Sequence, residues 1–187
     1  TVGTVAWDGG TTLGVQMTTN VLGNINEDMY YYIKSDAAIT KGQVIMFSGA
    51  VGASGVVKGK PATGVTDGSY IMGIAAENIA FPGFGLVQFG GTIKGVDTSA
   101  FAAGDILWYN TAVTGGLTKT QPSAPNVKVQ MAAVINGGSG GSGSLLVRVS
   151  AGSVLGGTDS NVKFSALSDK DLIQYDSANQ YWKNVTV

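Results

Sequence analysis

Apolar positions along this chain recur in short alternating runs, each closed by glycine, asparagine or aspartate. In Leu13-Gly14-Val15-Gln16-Met17 they fall on every second residue, the period of a half-buried β-strand. Residues 28–34 place Tyr30, Tyr32 and Lys34 on one side and Met29, Tyr31 and Ile33 on the other, again a strand pattern. Further strands are predicted over 1–7, 44–47, 70–76, 86–89, 93–96 and 106–109. The clearest hairpin pairs 127–135 with 144–149 through the glycine-rich 136–143, where the chain must turn with backbone angles that glycine adopts at least cost. Asp8-Gly9-Gly10 and Ala103-Gly104-Asp105 are turn signals,. Residues 49–59 read as a flexible glycine-rich excursion, and 113–116 and 122–126 as loops. No stretch of a dozen residues carries an i, i+3, i+4, i+7 apolar stripe, so helix is limited to single turns, with 98–101 the candidate,.

The pattern predicts an all-β fold, a compact antiparallel β-sandwich or barrel with an N-terminal strand arm and a C-terminal β-hairpin,. Residues 1–26 form the arm, with little core of their own and the capacity to dock on a neighbouring chain,. Residues 27–151 form the β-rich main domain. Residues 152–187 form a linker and a hairpin in which 172–175 and 181–185 flank 176–180. A two-stranded hairpin is marginal alone in water, so this one is expected to pack on the main domain, on a symmetry mate or on a continuing fibre. No internal repeat of 20–50 residues is visible,.

Composition narrows the function. Glycine occurs 29 times without a three-residue period, which excludes collagen and fits many tight turns. Cysteine and histidine are absent. That removes disulfides, thiolate metal sites, the thiol nucleophile and the imidazole base or ligand together. Eleven Lys and Arg face twelve Asp and Glu, and Arg148 is the single arginine. A nucleic-acid partner would need a basic surplus, so none is expected. Such sparse charge suggests that much of the surface meets other protein. The longest apolar runs, such as 131–135, fall far short of the ~20 residues of a membrane helix. The segment opening at Thr1 has neither a basic nor an apolar leader region,. A soluble chain with no membrane partner is therefore expected.

Candidate chemistry fails on inspection of each motif. Residues 138–143 fit G-x-G-x-x-G, but the dinucleotide fingerprint needs a helix after it, and the strand-like 145–149 follows. Residues 137–141 fit G-x-S-x-G with Ser139 at the nucleophile position, yet no histidine exists to take its proton,. Lys58-Gly59-Lys60 lacks the Gly-Lys-Ser/Thr order of a phosphate loop, since Pro61 follows,. Asp169 and Asp171 could share a strand face, as an acid pair or calcium ligands would; a solvated turn before the hairpin is the simpler reading. The reading is of a non-enzyme, with no catalytic, cofactor-binding or metal-binding residue and no cofactor. The run Tyr30-Tyr31-Tyr32 straddles both faces and suits packing rather than a single stacking platform. Trp7, Tyr31, Trp108, Tyr175 and Trp182 are taken as packing or interface anchors, because Trp and Tyr bury much area at modest entropic cost.

Several segments, in their order along the chain, resemble a recurrent domain of tailed-bacteriophage structural proteins of the tail-fibre or virion-structural kind. They are Gly3-Thr4-Val5-Ala6-Trp7, Met29-Tyr30-Tyr31-Tyr32-Ile33, Ile39-Thr40-Lys41-Gly42-Gln43-Val44, and Gly73-Ile74-Ala75-Ala76-Glu77-Asn78-Ile79. Further along lie Gly83-Phe84-Gly85, Gly95-Val96-Asp97-Thr98-Ser99, Gly104-Asp105-Ile106-Leu107-Trp108, Gly115-Gly116-Leu117-Thr118, Pro122-Ser123-Ala124-Pro125-Asn126 and Val147-Arg148-Val149. Residues 167–176, with Tyr181-Trp182-Lys183-Asn184, resemble the short hairpin module that joins fibre segments in such proteins. The resemblance implies a virion component on the tail or capsid surface. Its partners would be copies of itself, as a homotrimer, and other virion proteins. A tail-fibre subunit or its virion-proximal part is the first expectation. A capsid decoration protein, of the cement or head-fibre type, is the alternative, and a carbohydrate-binding module a further one. A host-surface glycan is kept as a partner that no residue pattern indicates.

Overall fold

The computed structural model describes residues 1–7, 12–25, 27–123, 125–152 and 162–186. Half of the chain is strand and 4% is helical, so the fold is all-β as the alternation predicts. The chain forms two compact units, residues 1–151 and 152–187.

The first unit opens with a small antiparallel sheet of β1 (Val5–Trp7), β2 (Leu13–Gln16) and β3 (Leu22–Asn24). The predicted turn at Asp8-Gly9-Gly10 lies outside the described residues. Next come β4 (Met29–Ser35), β5 (Val44–Ala50), β6 (Val57–Pro61), β7 (Ile71–Ala75) and β8 (Phe84–Val96). They are followed by β9 (Ile106–Asn110), β10 (Gly116–Thr118), β11 (Val129–Asn136) and β12 (Gly143–Ala151). These nine strands make one sheet in the order β10-β9-β11-β12-β8-β4-β6-β5-β7, and β7 also pairs with β8. That last pairing, Ile74 with Gln88 and Ala75 with Val87, closes β8-β4-β6-β5-β7 into a five-stranded barrel. The pairings are antiparallel except β4 with β6, which is parallel. The sheet is therefore mixed rather than wholly antiparallel.

Two apolar layers hold it. Ile33, Ile39, Ile45, Ala75, Ile79 and Val87 fill the barrel. Outside it, Val44, Ile71 and Ile74 pack against Leu107, Tyr109, Met131, Leu145 and Val147. The extension β12-β11-β9-β10 thus lies over the outer side of β5 and β7. The barrel closes only because position 73 is glycine. A Cβ there would collide with the Gln88 carbonyl oxygen and stand 3.1 Å from Val87 Cγ1.

The small sheet is tied to the barrel. Val21 is buried with Ala76 and Leu86, and Tyr30 packs alongside. The Thr18 hydroxyl donates to Glu77 Oε2 at 2.8 Å, and the Leu86 N–H donates to Glu77 Oε1 at 3.2 Å.

Some predicted elements differ in extent. The excursion at 49–59 is mostly a β5–β6 hairpin, with one 3-10 turn at Gly52–Ser54. Residues 86–89 and 93–96 are one continuous strand, β8. Residues 98–101 form a turn, the Phe101 N–H bonding Thr98 O at 2.9 Å, rather than a helix. The second 3-10 turn is Gly68–Tyr70, capped by Asp67, whose carboxylate accepts the Ser69 N–H.

The second unit pairs β14 (Leu172–Asp176) with β15 (Tyr181–Val185) as the predicted hairpin. β13 (Val162–Lys163) adds a short parallel strand on β15.

Candidate functional site

The side chains most available for function form an apolar face on the extended sheet. Alternation along β8 points Val87 into the barrel, and Phe89 lies two residues further on the same side. Beyond the barrel, paired residues across the sheet continue as a row: Thr92 of β8, Leu146 of β12, Ala133 of β11 and Ile106 of β9. Directly paired residues share a face. Leu146 and Ile106 are both exposed, at 45% and 41%. Met29 and Tyr31 extend the strip along β4, Tyr31 stacking on Phe89 with ring centroids 4.4 Å apart. Met29, Phe89, Leu146 and Val149 line a shallow groove of about 630 Å³.

Glu27 and Arg148 also line this groove. Neither forms an ion pair among the described residues. Exposed apolar surface with unmatched charges of both signs beside it has the composition of a protein–protein contact.

The five anticipated anchors divide accordingly. Tyr31 lies on this face. Trp108 does too, two residues from Ile106, half-buried beneath the Lys128 ammonium, which stands 5.5 Å from its ring centroid. Tyr175 and Trp182 are cross-strand partners in the second unit, with ring centroids 5.3 Å apart and both exposed. Trp7 sits in β1 opposite Leu13 and is 60% exposed. None of the five belongs to the fully buried core. The aromatic that does is Tyr109, whose alternation partner Leu107 is buried with it. The sequence carries that signal, since residues 107 and 109 occupy one face of β9 and 106 and 108 the other.

A second residue was not singled out by the sequence patterns: Asp28. Its Oδ1 accepts from Gln88 Nε2 and the Thr92 N–H, both at 2.8 Å, and its Oδ2 accepts the Asn24 N–H at 2.8 Å. It clamps the bulge at which β4 and β8 slip register between Met29 and Tyr30. Burial chiefly, with the Asp28 charge and hydrogen bond, raises the pKa of the Tyr30 phenol, which stays protonated at neutral pH.

The remaining motifs have structural roles. Gly140 and Gly141 have φ of +58° and +90°, and β12 follows them directly as a strand. The Thr98 hydroxyl stitches this turn, donating to Asn136 O and accepting the Gly138 N–H, each at 2.9 Å. Lys58 pairs with Asp36 at 2.9 Å. Asp171 accepts from the Ser168 N–H and from Asn184 Nδ2, bracing the turn before β14, while Asp169 is exposed. Among the described residues, no three Asp, Glu, His or Cys side chains gather as a metal site would require. No helix among them is long and apolar enough to cross a membrane.

Comparisons of this chain with protein-family models, with curated proteins and with solved structures return no match.

Proposed function

We propose that this chain is a structural subunit of a tailed-bacteriophage particle, a tail-fibre subunit or its virion-proximal part, that works by assembling with copies of itself as a trimer. One observation carries the assembly part: exposed Ile106 and Leu146, with half-buried Ala133 between them, continue through half-buried Phe89 to exposed Tyr31 and Met29 as one apolar strip. In water such a strip is a cost that a partner removes. The groove beside it supports a second copy as that partner. Glu27 on one chain and Arg148 on the next supply opposite charges to the same contact, so a ring of identical contacts satisfies both. An obligate contact of this kind is expected to bury ~2,000 Å² or more. The viral part rests on the ordered resemblance of segments along the chain.

Imaging of intact phage particles with an antibody against this chain tests the reading. Label at the tail, in small multiples of three, supports a fibre subunit. Label spread over the head in hundreds of copies replaces it with a decoration subunit. Unlabelled particles overturn the viral assignment.

A further inference from the structure

Beside the apolar face, a cleft of about 180 Å³ opens between the 20–24 segment and the barrel. Asn20, Asn24, Lys41, Gln88, Thr92 and Lys94 line it. Two cations dominate. Neither the Lys41 nor the Lys94 ammonium has an ion-pair or hydrogen-bond partner among the described residues. Both line the same cleft, and Lys41 Nζ reaches the strand that carries Lys94, since a Cβ built on Gly95 would stand 3.1 Å from it. The backbone holds Lys41 in place: its N–H donates to Asn78 Oδ1 at 2.8 Å, and the Gly42 N–H to Ala75 O at 2.9 Å.

The Asp28 carboxylate in the cleft offsets one of the two charges, but it forms no ion pair with either lysine among the described residues. Both Asp28 oxygens already accept hydrogen bonds, from Gln88, Thr92 and Asn24. The Tyr30 phenol, its pKa raised by burial and by Asp28, adds a neutral hydroxyl rather than a charge. The walls formed by Val21, Leu22 and Ile93 are apolar. Two ammonium groups against one carboxylate leave a net positive charge, and over a partly desolvated concavity it attracts an anion more strongly than in open water. The volume is below the ~300 Å³ of ordinary small-molecule pockets, so the ligand is compact.

We propose that this cleft binds the oxyanion group of a compact ligand, a carboxylate or a phosphate, with Lys41 and Lys94 as its cationic contacts. The cleft shares Thr92 with the apolar face, but neither lysine lines that face's groove, so failure of this proposal leaves the assembly reading untouched.

The test is a titration of the full chain followed by backbone amide resonances. The probes are sodium phosphate, sodium glucuronate, glucose, and sodium chloride at matched ionic strength. Saturable shifts at Lys41, Thr92 and Lys94 with phosphate, glucuronate or both support the site, and the one that saturates identifies the source of the oxyanion. In the Lys41→Gln, Lys94→Gln double variant the apparent affinity should fall at least tenfold. Neither side chain has a partner among the described residues, so the variant keeps the wild-type spectrum elsewhere. Shifts no larger than those in sodium chloride overturn the proposal. So does glucose binding as tightly as glucuronate, or an unchanged affinity in the double variant.

Discussion

Trp108 and Tyr109 are neighbours on β9, yet only Tyr109 is enclosed in the core. Truncating Tyr109 to alanine empties a site lined by the outer apolar layer and is expected to cost about 3–5 kcal/mol. Trp108→Ala, half-buried with Lys128 above it, is expected to cost the isolated chain no more than about 1 kcal/mol. Urea unfolding of the two variants measures both, and equal losses would contradict the assignment of faces. Tryptophan content alone pointed to Trp108 as an anchor; alternation, applied strictly, points to Tyr109. Asp28 was less legible. Nothing local in Glu27-Asp28-Met29 says that one carboxylate will accept bonds from residues 24, 88 and 92, because that convergence is created by the tertiary pairing of β4 with β8. Asp28→Ala strips charged acceptors from three donors and is expected to destabilise by about 2–4 kcal/mol, read from the same unfolding curves. Asp176 sets a pH response. Lys183 first, then Asn179, lowers its carboxyl from 3.8 to about 2. Its stabilising effect on the hairpin is therefore complete above about pH 4 and is lost as the pH falls towards about 2. Trp182 fluorescence should report that loss, and Asp176→Asn should flatten the response over the same interval.

At the scale of elements, alternation located most strands of the nine-stranded sheet because one apolar face of each is turned to a core, as in β4, β9 and β12. It failed where long-range pairing overrules a local break. Gly90-Gly91 reads as the end of a strand, yet β8 runs through it, since β4 and β12 pair along either side and the Asp28 clamp accommodates the bulge. Residues 49–59 read as a loop because Gly49, Gly52, Gly55 and Gly59 interrupt the apolar run. Here β5 supplies a partner for 57–61 that the local sequence does not announce. The parallel join of β4 to β6 is equally invisible, since no short turn connects them. The glycine turn at 136–143 was legible for a direct reason: Gly140 and Gly141 occupy the left-handed region, which costs an ordinary residue roughly 1–2 kcal/mol. Replacing both by valine should lower stability by about 2–4 kcal/mol or more. A thermal midpoint matching that of the wild type would contradict the turn geometry.

Considered by itself, the first unit has two buried apolar layers and a further apolar surface exposed among its described residues. The two layers account for the fold. The third fits the low charge density if, as proposed, it meets protein, since such a surface needs few charges to remain dispersed. The sparse charge suggested surface that meets other protein, and two of the anticipated anchors, Tyr31 and Trp108, lie on the exposed strip. The sequence did not reveal the strip itself, because Met29, Phe89, Leu146 and Ile106 lie far apart in the chain and meet only through strand register. The most direct measurement is the mass of the chain in solution by sedimentation velocity, alongside the Ile106→Lys, Leu146→Glu double variant. Assembly through this face predicts three chains per particle at micromolar concentration, and a folded single chain for the variant. A wild-type chain that sediments as a monomer, or a variant whose mass equals that of the wild-type trimer, contradicts it.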